Sequence, residues 1–263
     1  MNMKITGIIP ARYGSTRFPG KPLALLDGRP MLLHVFEHAS ESRLLTGIFA
    51  ATESPNIKEA CESLSIPCLM TDPNHENPTS RLREAAASIP SDLYVMIGGD
   101  EPLLTGEDID LVVQAALDRM EREDALFVVN AMAPVLSPSE AMDTANIKVV
   151  CGEDGRGLYT SRIPIPYPKG ELNFTYQKFA SIGVYTRKAL DFFADTPKGP
   201  LETIEECDLL RFLEHNVPVY FVNTGHPSLS VDTKKDLRQV RLMAEQLNTI
   251  NGGLSCTKEL SSI

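Results

Sequence analysis

The sequence has no apolar run approaching the ~18 residues that a membrane-spanning helix needs, and the opening MNMKITGII lacks the apolar stretch of a signal peptide. A cytoplasmic protein with no membrane partner is therefore expected. Cysteine is sparse and unpatterned. Cys61, Cys68, Cys151, Cys207 and Cys256 are odd in number and show neither CxxC nor Cys/His metal spacing. That pattern fits reduced thiols and suggests no zinc site. Positive charge is in deficit, with 25 Lys and Arg against 35 Asp and Glu and a net charge of -10. A nucleic-acid partner, which requires a basic face to displace counterions, is not expected. Neither GxxxxGK[ST] nor GxGxxG occurs, which leaves the P-loop and dinucleotide readings without their motifs. There is no internal repeat and no low-complexity segment.

What is present alternates. KITGIIPA, TGIFAAT, PCLMT and LYVMI (Leu93–Ile97) are short apolar runs that read as strands. Between and after them, MLLHVFEHAS, NIKEACESL and EDIDLVVQAALDRM carry apolar residues at helical spacing. Such βα repeats favour an α/β fold with a mostly parallel sheet covered by helices on both faces. After ALFVVNAMAPV the texture changes, and NIKVVCGEDGRGLYTSRIPIPY reads as a hairpin about Gly152 to Gly157. Residues 137–190 are thus expected to hold an inserted β-rich part. Beyond it come ASIGVYTRKALDFFA, one helix over ETIEECDLLRFLEHN, a strand VPVYFVNT and a helix TKKDLRQVRLMAEQLN. The 263 residues suit a single domain over 1–250, with 251–263 a frayed tail rich in Gly, Ser and Thr.

In open α/β sheets ligands bind beyond the carboxyl ends of the strands. The loop after the first strand reads IPARYGSTRFPGKPL, residues 9–23. It gathers Arg12, Arg17 and Lys21, with Gly14 and Gly20 to let backbone approach a ligand and Ser15 and Thr16 to donate hydrogen bonds. This composition suits a polyanion; the plainer alternative is a solvated basic turn. Asp100 ends the strand of DLYVMIGGD, and Asp232 follows VYFVNT by a short loop. An Asp just before a helix is a common N-cap, so Asp232 in VDTKKDL is read from its neighbours as either cap or ligand.

IIPARYGSTRFPGKPL, GGDEPL, LYTSRIPIP, SIGVYTRKAL and VDTKKDL occur in that order. Together they make the chain resemble the 3-deoxy-manno-octulosonate cytidylyltransferases, also called CMP-KDO synthetases, over about residues 4–240. The resemblance implies a nucleotide-diphospho-sugar transferase-like α/β/α sandwich, a small β-rich dimerisation part and a homodimer. It further implies CTP as donor, Mg²⁺ as cofactor and a small anionic sugar acid as acceptor. Arg12, Lys21 and Asp100 are the catalytic set it implies. Ala11, Arg12, Gly14, Ser15, Arg17, Lys21, His75, Thr79 and Arg81 would bind the nucleotide. Asp100 and Asp232 would hold the metal, a set that suits Mg²⁺ once phosphate oxygens and water fill its shell. Glu101 would support the loop. Pro19 and Pro22 would stiffen the phosphate loop.

Some positions depart from the family pattern. HENPTSR stands where the base-binding segment reads HxSGTxR, and Pro78 has no backbone N–H to offer a base. Arg162, after Ser161, matches an arginine suited to the acceptor's carboxylate. Gly98 stands for a glutamine, Ser181 for a histidine and Leu209 for a glutamine, each shortening the polar reach of the acceptor pocket. Three functions remain open: transfer of CMP to KDO or a related 3-deoxy-2-ulosonic acid, the same transfer to an amino-ulosonic or phosphonic acid, and a non-catalytic nucleotide-binding protein.

Overall fold

The computed structural model describes residues 3–14, 17–121, 125–170 and 174–243. The chain opens with β1 (Ile5–Pro10), makes a 3-10 turn at Lys21–Leu23 and a small ribbon of β2 (Leu25–Leu26) and β3 (Arg29–Pro30). It then alternates through α1 (Met31–Ser40), β4 (Gly47–Thr52), α2 (Pro55–Ser63), β5 (Cys68–Met70), α3 (Pro78–Ser88), β6 (Leu93–Ile97), α4 (Gly106–Met120) and β7 (Val128–Pro134). A short α5 (Pro138–Met142) leads to the hairpin of β8 (Lys148–Cys151) and β9 (Gly157–Ser161). There follow β10 (Gln177–Thr186), α6 (Arg187–Asp195), α7 (Pro200–Glu205), α8 (Leu209–Glu214) and β11 (Val219–Asn223), and a last helix begins at residue 234.

The main sheet runs β11-β7-β10-β6-β1-β4-β5. Only β10 is antiparallel to its neighbours in this order, because it enters from a hairpin rather than from a helical crossover. The remaining pairs, β1 with β4 and β6, β4 with β5, and β7 with β11, are parallel. Side chains alternate between two cores. Ile5, Ile9 and Val95 pack with α1, α2 and α4, whereas Ile8, Tyr94 and Met96 pack with α3, α6 and α8. Both faces are covered, which is why the central strands read as unbroken apolar runs. The architecture is the expected α/β/α sandwich.

Two expectations change. The helix expected over 202–216 is two short helices, because Glu206 adopts a left-handed backbone (φ 47°) that ends α7. The β-rich part is not a separate insertion either. β10 starts at Gln177, pairs with β8 through Gln177 and Lys178, and continues into the centre of the sheet against β6 and β7. A β-bulge interrupts its pairing with β7 between Phe179 and Gly183. The expected tail, 251–263, lies outside the described residues.

Candidate active site

The first loop leaves the carboxyl end of β1 and is held from inside. Ala11 is buried and donates its N–H to Ala51 O (2.9 Å), and Tyr13 N–H donates to the Glu53 carboxylate (2.9 Å). Gly20 takes a positive φ of 69°, which a side chain would strain, and donates to Tyr13 O (3.0 Å). Phe18 is buried in a small satellite core with Leu26, Met31, Val231 and Val240. These anchors leave Arg12, Gly14 and Arg17 exposed on the outside of the loop. Ser15, expected among the phosphate contacts, lies outside the described residues.

Lys21 is the point of convergence. Its Nζ donates to Asp100 Oδ2 at 2.7 Å and to Asp232 Oδ1 at 3.2 Å, and Arg17 donates to Asp232 Oδ2 at 3.0 Å. The lysine side chain is only 14% exposed, whereas Asp100 and Asp232 stay 29% and 28% exposed. Burial on its own depresses the ammonium pKa, but attraction to Asp100 and then Asp232 outweighs it, so the value lies above the ordinary one. Lys21 is therefore firmly charged at neutral pH. The two carboxylates arrive on separate loops, after β6 and after β11, joined by the bond from Val231 N–H to Asp100 O (2.8 Å).

Of the two alternatives left open for Asp232, its neighbours remove the helix cap. Thr233 and Asp236 form a reciprocal capping pair: Asp236 N–H donates to Thr233 Oγ1 (3.3 Å), and Thr233 N–H donates to Asp236 Oδ2 (2.8 Å). The helix is capped without Asp232, whose carboxylate is free to face Lys21. Two hard oxygen donors meeting beside exposed cations suit Mg²⁺, which needs few carboxylates and completes its shell with phosphate and water. Among the described residues no group of three or more His, Cys, Asp or Glu could hold a metal by itself.

The residues expected around the base divide. Arg81 is buried on α3, donates to Thr71 Oγ1 and pairs with Glu53 (2.9 Å), the same carboxylate that holds Tyr13. It thus braces the first loop from behind. Thr79 is wholly buried and donates to the Asp208 carboxylate, and His75 is paired with Ser80 (3.0 Å) and Glu84. No hydrogen bond or ion pair among the described residues links His75 or Thr79 to Lys21, Asp100 or Asp232.

The acceptor expectations are corrected in three places. Leu209 has no exposed surface and packs in the core beneath α8, so its side chain presents nothing to a substrate. Arg162 donates to the carbonyls of Glu205 (2.6 Å), Thr144 (2.9 Å) and Glu206 (3.1 Å), satisfying the end of α7 rather than standing free for a carboxylate. Ser181 turns its hydroxyl onto Glu101 (2.6 Å). Gly98 faces it so closely that a Cβ at 98 would lie 2.3 Å from the Ser181 Cβ. Residues that the sequence reading passed over are Glu53, Ser228 and Asp208. Glu53 follows β4 directly, so the strand-end rule that singles out Asp100 applies to it equally.

The protein-family pattern described as "Cytidylyltransferase" matches residues 6–222. The chain is 38% identical over 251 residues to the 3-deoxy-manno-octulosonate cytidylyltransferase of Lawsonia intracellularis (strain PHE/MN1-00), covering 93% of this chain and 96% of that one. It is 35% identical over 241 residues to the 8-amino-3,8-dideoxy-manno-octulosonate cytidylyltransferase of Shewanella sp. (strain ANA-3), covering 90% and 97%. A solved structure of CMP:2-keto-3-deoxy-manno-octonic acid synthetase complexed with CTP matches with a TM-score of 0.85 at 32% identity, covering 92% of this chain and 99% of that one.

Proposed function

The chain belongs to the cytidylyltransferase family and is a CTP-dependent nucleotidyltransferase, and from that premise we propose that it transfers CMP from CTP to a small anionic 3-deoxy-2-ulosonic acid of the KDO type. The observation that carries this reading is the convergence of Lys21 with Asp100 and Asp232 at the mouth of the first loop. An acceptor oxygen attacks the α-phosphorus, the bond to the bridging oxygen breaks, and pyrophosphate leaves in line. No covalent enzyme intermediate is required. Arg12 and Arg17 meet the triphosphate from the exposed side of the loop, and Gly14 lets it approach the backbone. Lys21 passes from its two carboxylates to phosphate oxygens as the triphosphate docks.

Asp100 and Asp232 are the residues that would hold Mg²⁺, whose chemistry there is to neutralise phosphate charge. His75, Thr79 and Arg81 remain the proposed cytidine end, with Arg81 acting through Glu53 on the backbone of Tyr13. The second reading concerns the acceptor. Relatives act on KDO and on its 8-amino derivative by name. Gly98 and Ser181 offer no free polar side chain at the end of β6. That favours a modified acid over unmodified KDO. Pyrophosphate release from CTP, measured across KDO, 8-amino-KDO and a phosphonic acid, tests both readings; no release with any of the three would overturn both.

We also propose a homodimer built on the β-rich stretch, where Leu158, Ile163, Tyr167 (88% exposed) and Phe174 present apolar surface to solvent. Exposed apolar groups clustered along one stretch mark a partner surface.

A further inference from the structure

We infer that Glu101 is a positioning residue that clamps the two metal-facing loops to β10. Glu101 is buried, and its carboxylate accepts three hydrogen bonds from two other segments. Ser181 donates both its N–H (3.0 Å) and its Oγ–H (2.6 Å) to Oε1, and Ser228 donates its hydroxyl to Oε2. Glu101 follows Asp100 directly. Ser228 lies on the loop between β11 and Asp232, and Val231 of that loop bonds back to Asp100 O. The three donors therefore fix, through one side chain, the spacing of the loop that carries Asp100 and the loop that carries Asp232.

The sheet supplies the geometry. The bulge in β10 between Phe179 and Gly183 falls around Ser181, and bulges re-aim side chains near sites. Gly98 clears the space for it, since a Cβ there would meet the Ser181 Cβ. In this chain position 181 thus serves the metal side of the site. Partners that orient ligating carboxylates typically change metal affinity 10–100-fold when removed.

The inference rests on the reading of Asp100 and Asp232 as metal ligands. The test uses the full chain at 25 °C with CTP and the preferred acid. Turnover is titrated with Mg²⁺ in wild type, Glu101→Ala, Glu101→Gln, Ser181→Ala and Ser228→Ala. In parallel, the rise in melting temperature on adding Mg²⁺ and CTP is recorded for each. We expect Glu101→Ala to raise the half-saturating Mg²⁺ by about tenfold or more, with a smaller change in KM for CTP and a smaller Mg²⁺-dependent rise in melting temperature. Ser228→Ala and Ser181→Ala shift the same quantities in the same direction, and they carry the test if Glu101→Ala does not fold. Glu101→Gln restores most of the loss, because its amide can still accept from Ser181 and donate to Ser228.

A purely structural role would lower melting temperatures and leave the Mg²⁺ requirement of the folded enzyme alone. Folded Ala variants with a wild-type Mg²⁺ requirement would overturn the inference. So would a Gln variant as impaired as the Ala variant, since the charge and not the clamp would then matter. A wild-type enzyme with no Mg²⁺ dependence would instead overturn the metal reading itself, and the clamp with it.

Discussion

Lys21 Nζ lies 2.7 Å from Asp100 Oδ2 across a separation of 79 residues, and this part-buried ion pair sits beneath a loop whose Arg12 and Arg17 are exposed. Lys21→Ala removes both the cation proposed to meet the triphosphate and the group that neutralises two neighbouring carboxylates. Turnover should fall by roughly 10² or more, the scale of losing one preorganised donor at developing charge. Without Mg²⁺ the melting temperature should fall as well, and Mg²⁺ should recover more of it than in wild type. Wild-type turnover in Lys21→Ala would remove the lysine from the phosphate cradle.

The capping pair of Thr233 and Asp236 separates stability from chemistry at the start of the last helix. Asp232→Asn should leave unfolding free energy within about 0.5 kcal/mol of wild type and cripple turnover, since an amide gives up the charge that holds a hard cation. Thr233→Ala should cost ~1 kcal/mol of stability. Urea denaturation alongside steady-state assays reads both. Near-normal activity in Asp232→Asn would return that residue to a structural role.

Gly98 and Ser181 should behave as a unit. Gly98→Ala puts a methyl 2.3 Å from the Ser181 Cβ, and overpacking of this kind costs ~1 to 3 kcal/mol. Activity should fall with it, because Ser181 is pushed from Glu101. Adding Ser181→Gly to Gly98→Ala should recover stability. A Gly98→Ala protein as stable as wild type would show that the strand ends move freely.

Asp208 gives the stability a defined pH dependence. Burial pushes its carboxyl above the ordinary carboxylate range, and the hydrogen bond from Thr79 offsets this only in part. The native state therefore keeps the proton to higher pH than the unfolded chain does. By linkage, this group's contribution to stability falls as pH rises from the ordinary Asp value, about 3.9, through its raised native value. Asp208→Asn removes the effect, so the variant should gain on wild type across that window and hold a constant gap above it. Urea midpoints measured at intervals from pH 4 to 8 check the sign. A variant that instead loses stability relative to wild type as pH rises through that window would contradict it.

The apolar stretch containing Leu158, Ile163 and Tyr167 should give a dimer at micromolar concentration, seen by light scattering as twice the 28.9 kDa chain. Tyr167→Glu with Ile163→Lys should shift it to monomer. A wild-type monomer at that concentration would leave the patch without its proposed partner.

Most of the sandwich was legible in the sequence because its strands are local apolar runs and its helices carry their own periodicity. MLLHVFEHAS is α1, and LYVMI is β6. The first loop was legible for a similar reason, since its glycines and cations are contiguous and lie directly after β1. Asp100 could be singled out because a strand end is a local feature.

What the sequence left undecided depended on contacts between distant segments. Nothing local to VDTKKDL shows whether Asp232 is the cap, and the cap reading was removed by Asp236 turning back onto Thr233 while Lys21 drew in Asp232. Arg162 matched a family position and Leu209 departed from one, but their surroundings set what they do: one saturates the carbonyls that end α7, the other fills the core. The break after α7 and the path of β10 from hairpin to sheet centre were hidden likewise, because a left-handed Glu206 and an antiparallel register are fixed by packing and not by propensity. Local sequence was enough for the layers, the cationic first loop and the residue types of the candidate site. Tertiary structure alone decided which carboxylates meet Lys21 and which polar groups are already spent on one another, because a buried polar group is satisfied by its neighbours in space and not in sequence.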